Sequence, residues 1–260
     1  MQRIHEAFRR SREQGGALII YLTAGDPCLD DTVELALAAE RGGADLVELG
    51  IPYVAPIADG PTIQAACRRA LAAGTTVRGV LQAVGRIRDR SEVPIVLMTC
   101  YNPILQFGPQ EFAQAAASQG VDGVLTSDLP PAASGELCEA AARHGLGTVM
   151  LVAPGNTDEQ IEQVLARTTG FCYAISRPGV TGARDELPAD LAEFVGRVKA
   201  RARVPVAVGF GISDARQVRA VLEIAEGAVV GSAIVNVIAG GNEDGRLAER
   251  VEGAVRALRG

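Results

Sequence analysis

The chain has 260 residues, is 48% hydrophobic and carries a formal net charge of -6. That length can bury a full-sized core and fits one barrel or two small domains, while the negative balance supplies no basic field for nucleic acid or an anionic membrane. No apolar run approaches the roughly 18 residues of a transmembrane helix, so a soluble, cytoplasmic protein is expected, in which a small anionic substrate needs a local site.

In chain order, the polar start Met1-Gln2-Arg3-Ile4-His5-Glu6 reads as an amphipathic helix over residues 1–14. Short apolar, β-branched segments then recur at 17–22, 46–50, 94–99, 123–126, 147–152, 171–175, 204–208 and 227–230, about eight in all. Amphipathic stretches lie between them at 29–41, 76–88, 110–119, 135–144, 158–166, 188–200 and 213–223. Ser213-Asp214 opens one helix, Asp158 another, and Gly42-Gly43 follows the first long one. This alternation implies a parallel sheet, and its uninterrupted repetition without a linker favours a single (β/α)₈ TIM barrel over residues 1–260, with an extra N-terminal helix. Such barrels place their active sites at the C-terminal ends of the strands.

Glu48 lies at such an end. It has apolar neighbours in Asp45-Leu46-Val47-Glu48-Leu49-Gly50, a setting in which a carboxyl keeps its proton nearer neutrality and suits a general acid. Asp59 follows in a Gly/Pro-punctuated segment, where more hydration and readier ionisation are expected, so the two environments separate an acid from a base. A structural carboxylate at Glu48 remains open on these grounds. Asp128, Tyr173, Thr23 and Thr181 also stand at strand ends.

Other chemistries have little to work with. The single lysine, Lys199, falls on a predicted outer helix, which disfavours a Schiff base. The two histidines, His5 and His144, and the five separated cysteines, Cys28, Cys67, Cys100, Cys138 and Cys172, form no metal-ligand pattern or disulfide framework, so no metal site is expected. Two glycine-rich turns, Gly209-Phe210-Gly211-Ile212-Ser213 and Gly231-Ser232-Ala233, follow the last two strands, where this fold commonly binds phosphate; tight strand-to-helix turns are the alternative. The loop Ser176-Arg177-Pro178-Gly179-Val180-Thr181-Gly182-Ala183-Arg184 reads either as a lid or as a solvated connection.

Along essentially its whole length the chain resembles the α subunit family of tryptophan synthase, the indole-3-glycerol-phosphate lyases. The stretches that carry the likeness are Tyr21-Leu22-Thr23-Ala24-Gly25-Asp26-Pro27, Glu48-Leu49-Gly50-Ile51-Pro52, Ala58-Asp59-Gly60-Pro61-Thr62-Ile63-Gln64, Asn102-Pro103-Ile104, Ser176-Arg177, Gly179-Val180-Thr181-Gly182-Ala183, Gly209-Phe210-Gly211-Ile212-Ser213 and Gly231-Ser232-Ala233-Ile234-Val235. The resemblance implies a (β/α)₈ barrel that cleaves indole-3-glycerol phosphate to indole and glyceraldehyde 3-phosphate, with no metal or organic cofactor. It implies that Glu48 protonates C3 of the indole and helps deprotonate the glycerol hydroxyl, and that Asp59 polarises the indole N–H. Gly182, Phe210, Gly211, Gly231 and Ser232 match phosphate-binding positions, Thr181 matches a lid residue that orients the aspartate, and Tyr21 and Tyr173 complete the substrate-binding set.

Two positions depart from the family pattern. Between Pro52 and Pro56 the family usually has an aromatic, Ser and Asp, the last coupling it to a tryptophan synthase β subunit; here Tyr53 is followed by Val54 and Ala55. Cys100 stands where a tyrosine usually lines the indole site. Three readings stay open: an α-type lyase with a β partner or a free-standing indole-releasing relative, a weakly catalytic barrel acting as a binding partner, and a lyase for another phosphorylated substrate.

Overall fold

Segments of β-branched residues that are buried on both faces cannot sit at a water-exposed sheet edge, and here eight of them close on one another. The computed structural model describes residues 1–56, 59–176, 188–209, 211–242 and 244–260. The order is α1 (Gln2–Ser11), β1 (Ala17–Thr23), α2 (Leu29–Arg41), β2 (Leu46–Gly50), α3 (Pro61–Ala72), α4 (Val77–Arg88), β3 (Ile95–Thr99), α5 (Tyr101–Phe107) and α6 (Pro109–Ser118). It continues with β4 (Gly123–Thr126), α7 (Gly135–Arg143), β5 (Gly147–Val152), α8 (Asp158–Leu165), β6 (Cys172–Ile175), α9 (Leu191–Lys199), β7 (Val206–Gly209), α10 (Ala215–Leu222), β8 (Gly227–Val230), α11 (Ser232–Ala239) and α12 (Leu247–Arg259). The strands form a closed parallel barrel in sequence order, β8 returning to β1, as the alternation in the sequence leads one to expect.

Strand ends differ from the sequence reading where proline intervenes. β3 begins at Ile95 and β7 at Val206, each after a proline that has no N–H to give to the ladder. Both prolines still accept: Val47 N–H donates to the Pro94 carbonyl at 2.9 Å and Cys172 N–H to that of Pro205 at 2.8 Å. Helices α3, α5, α11 and α12 are additions to those read from the sequence. The lone lysine is on α9, as expected, where its Nζ pairs with Glu226 at 2.8 Å.

Strand alternation sorts the core into two layers. Val47, Leu49, Leu18, Ile20 and Leu22 face the helix ring, while Ile19, Leu46, Val96, Leu125, Val149, Phe171 and Ala207 fill the barrel interior. The N-terminal end of the interior is corked by α1. Its Ile4 and Phe8 are buried, Phe8 stands 5.5 Å from the Phe171 ring, and Ile4 occupies space left by Gly123 and Gly147. Among the described residues α1 thus closes the N-terminal end of the barrel interior. Among the described residues no helix is long and apolar enough to cross a membrane.

Phe8→Ala is expected to lower stability by about 3–5 kcal/mol, the usual cost of emptying an aromatic core position. Urea denaturation checks this; an unchanged midpoint would show that α1 does not close the barrel.

Candidate active site at the barrel mouth

Glu48 is the third of the five residues of β2. Two residues beyond the inward-facing Leu46, it points into the barrel, with Tyr21 of β1 and Val96 of β3 opposite it in the ladder. It is 0% exposed, and neither carboxylate oxygen has a hydrogen-bond partner among the described residues. With desolvation unopposed by any donor, burial pushes its pKa up to about 8, so at neutral pH it carries a proton. A buried, protonated and unpartnered carboxyl is a proton donor awaiting an acceptor.

Two tyrosines flank it. Tyr21, two residues past Ile19, and Tyr173 on β6 both face inward, and each occupies a seat that a glycine leaves vacant. A Cβ on Gly50 would lie 2.1 Å from the Tyr21 hydroxyl, and one on Gly209 would lie 2.0 Å from that of Tyr173. The Tyr21 hydroxyl and Thr23 Oγ1 are 3.3 Å apart. Burial foremost holds both phenols well above their ordinary pKa, reinforced by the negative charges of Asp59 and Glu48. Both rings therefore stay neutral and keep their protons.

Asp59 precedes the N-cap of α3. Its N–H donates to the Pro56 carbonyl at 3.0 Å and its own carbonyl accepts from Gln64 Nε2 at 2.8 Å, so the turn is held on both sides. It is less hydrated than its loop setting suggests: burial raises its pKa to about 6. The order expected of the pair is kept, Glu48 titrating above Asp59, although both lie above the ordinary carboxylate range. Asp59 lines a narrow cleft of about 10 Å³ with Tyr21, Ile51, Met98, Cys67, Cys100 and Ser127 among its walls. Cys100 Sγ is 3.8 Å from Ser127 Oγ, and burial pushes its thiol up to about 11.

Across the mouth, Gly211 adopts φ +88°, a left-handed conformation suited to glycine, and Gly231 caps α11, whose first residue is the buried Ser232. The first N–H groups of a helix have no acceptor within it and favour an anion. Gly231 packs beside the Tyr21 ring, 3.5 Å from where its Cβ would be, so this helix start adjoins the carboxyl pair. Of the candidates named from sequence, Glu48, Asp59, Tyr21, Tyr173, Gly211, Gly231 and Ser232 thus converge on one end of the barrel. Thr181, Gly182 and Phe210 lie outside the described residues. The sequence reading leaves Ile51, Cys67, Met98 and Ser127 unassigned; the helical spacing of Ile63, Ala66, Cys67 and Ala70 is the signal that could have placed Cys67. Among the described residues no cluster of three or more His, Cys, Asp or Glu could hold a metal ion.

Residues 8–258 match the family described as tryptophan synthase alpha chain. This chain belongs to that family. The alpha chain of Opitutus terrae is 44% identical over 261 residues, spanning 100% of this chain and 97% of that one. The tryptophan synthase structure from Mycobacterium tuberculosis superposes with a TM-score of 0.90 at 36% identity, covering 99% of this chain and 96% of its own. A chain of the tryptophan synthase α2β2 complex of Pyrococcus furiosus gives a TM-score of 0.86 at 40% identity, with 94% and 97% covered.

The Glu48 carboxyl has a consequence for stability. Its folded pKa of about 8 exceeds the ordinary glutamate value of 4.5, so the folded state holds an extra proton between those two values and stability falls as pH rises through that window. Glu48→Gln, uncharged throughout, is expected to gain Tm over wild type progressively from about pH 5 to about pH 8. A Tm difference that does not vary with pH would contradict a buried, unpartnered carboxyl.

Proposed function

We propose that this chain cleaves indole-3-glycerol phosphate to indole and glyceraldehyde 3-phosphate, as the alpha partner of a tryptophan synthase β subunit, and that residues 1–260 act as one barrel domain in the cytoplasm. The observation that carries the reaction is Glu48, buried without a hydrogen-bond partner on the axis of a barrel belonging to this family. In this reading the phosphate rests against the start of α11 and the turn at Gly211, with Gly231, Ser232, Gly182 and Phe210 around it. That end fixes the glycerol chain so that the indole ring enters the cleft beside Asp59.

The retro-aldol step then needs one proton delivered and one removed. Glu48, protonated, donates to indole C3, and positive charge develops on the ring nitrogen. Asp59, ionised, accepts a hydrogen bond from the indole N–H and stabilises that charge, with Thr181 orienting its carboxylate. Loss of the proton from the hydroxyl on the carbon attached to C3 forms the aldehyde carbonyl; the C3–carbon bond breaks and its electron pair restores the aromatic ring. The Glu48 carboxylate, having given its proton, takes up the hydroxyl proton, so the enzyme is unchanged after one turnover. Tyr21 and Tyr173 stay neutral beside the ring, walling the site from water without competing for the proton.

Glu48→Gln and Asp59→Asn are each expected to reduce indole release by about 10²–10⁴-fold, the usual worth of a general acid or base. Near wild-type turnover in Glu48→Gln would remove the assignment. Because Glu48 must be protonated and Asp59 ionised, kcat/KM should rise through about pH 6 and fall through about pH 8. Gly211→Asp places a carboxylate where the phosphate rests and should raise KM for the phosphorylated substrate far more than it lowers kcat; an unchanged KM counts against this phosphate site.

A free-standing lyase is the second reading, and the loop after β2 favours it. Val54 is 77% exposed and Ala55 is exposed beside it, so no charge stands at those positions to meet a partner. Truncating one member of a buried interfacial charge pair costs about 2–5 kcal/mol. Steady-state indole release is to be measured without and with a tryptophan synthase β subunit. Many-fold activation supports the partnered reading, equal activity supports the free-standing one, and negligible activity in both overturns the lyase assignment.

A further inference from the structure

We propose that Arg69 is a positioning residue for Asp59, acting through Asp26 and helix α3. The inference rests on the role given to Asp59 above. Arg69, on α3, makes a parallel two-point contact with Asp26: Nε to Oδ1 at 2.8 Å and Nη2 to Oδ2 at 2.7 Å. Asp26 is 1% exposed and belongs to the loop between β1 and α2. That loop is a fixed anchor. Gly25, at φ +86°, packs so closely on Thr75 that a Cβ would lie 1.8 Å from Thr75 Oγ1; its N–H donates to Thr32 Oγ1 at 2.8 Å, and the Asp26 N–H donates to the Thr23 carbonyl at 3.2 Å.

Helix α3 is the lever attached to this anchor. Asp59 immediately precedes its N-cap, Gly60, and Gln64 on its first turns holds the Asp59 carbonyl, so a movement of the helix carries the Asp59 backbone with it. Apart from the ion pair, the helix is located by a small apolar cluster in which Ile63, Ala66 and Cys67 meet Tyr21 and Val235 of α11. Such contacts resist separation but are non-directional, and they tolerate sliding along the helix axis. The fork of a guanidinium on a carboxylate specifies both distance and angle. Arg69 therefore sets the axial position of α3, and with it the placement of Asp59 against the cleft. A misplacement of about 1 Å costs on the order of 10²-fold in rate.

Kinetics of indole release and Tm are to be compared for wild type, Arg69→Met, Arg69→Lys and the double variant Asp26→Asn/Arg69→Met, with Asp59→Asn as reference. Arg69→Met should lose about ten- to hundredfold in kcat, with a much smaller change in KM, and Arg69→Lys should restore part of the loss. The double variant separates positioning from plain stability, because it removes the carboxylate that Arg69→Met leaves buried and unpaired. Its Tm should recover relative to Arg69→Met while its kcat stays low. Wild-type kcat in either Arg69→Met or the double variant overturns the inference alone. If Arg69→Met does not fold, the double variant and Arg69→Lys decide. An inactive wild type, or an Asp59→Asn variant with full activity, instead overturns the underlying assignment.

Discussion

One buried carboxyl without a partner sets the terms for the rest of the site. Glu48 stands in the interior of a closed barrel, where Leu46 lies beneath it on the same face and Val96 beside it. A charge there would be desolvated with no donor among the described residues, so the proton stays. The barrel makes this possible because α1 corks one end with the buried Ile4 and Phe8. The same closure that stabilises the fold by burying apolar side chains thus holds a destabilising group in its reactive form. Function and stability pull against each other at this residue.

Around that carboxyl the mouth is built by close fits rather than by charge. Gly50 and Gly209 exist as glycines in space that two tyrosine hydroxyls fill, which fixes the rings beside the acid. Helix α3 then ties three parts together: Asp59 at its start, Tyr21 on its buried face, and α11, whose first turn is the candidate phosphate seat. The glycerol phosphate end and the ring end of a substrate are therefore gripped by neighbouring pieces of one packed unit. Arg69 and Asp26 fix that unit to the loop after β1.

Local pattern made much of this readable in the sequence. Apolar, β-branched segments at regular spacing announce a parallel barrel, and a glutamate at the end of one of them announces itself by its neighbours. The glycine turns after β7 and β8 are local features as well. Asp59 is harder to read: the composition around it suggests a hydrated loop, whereas the fold places it in a narrow cleft with Tyr21 and Cys67 among the walls, a burial that no local window contains. The Asp26–Arg69 pair joins residues 43 apart and exists only because the barrel brings α3 beside the β1 loop. Likewise, the amphipathic pattern of α1 marks a helix but does not reveal that it plugs the barrel. Helix α3 is absent from the sequence reading although Ile63, Ala66, Cys67 and Ala70 have helical spacing, because it lies behind a proline- and glycine-rich segment that hides its start.

Glu48 holds its proton at neutral pH because it is buried with no partner among the described residues. Carbon-13 NMR titration of the glutamate side-chain carboxyls, with the Glu48 signal assigned by its absence from Glu48→Gln, measures this directly. A midpoint near 8 is the expected result, and a midpoint near the ordinary glutamate value of about 4.3 would contradict it.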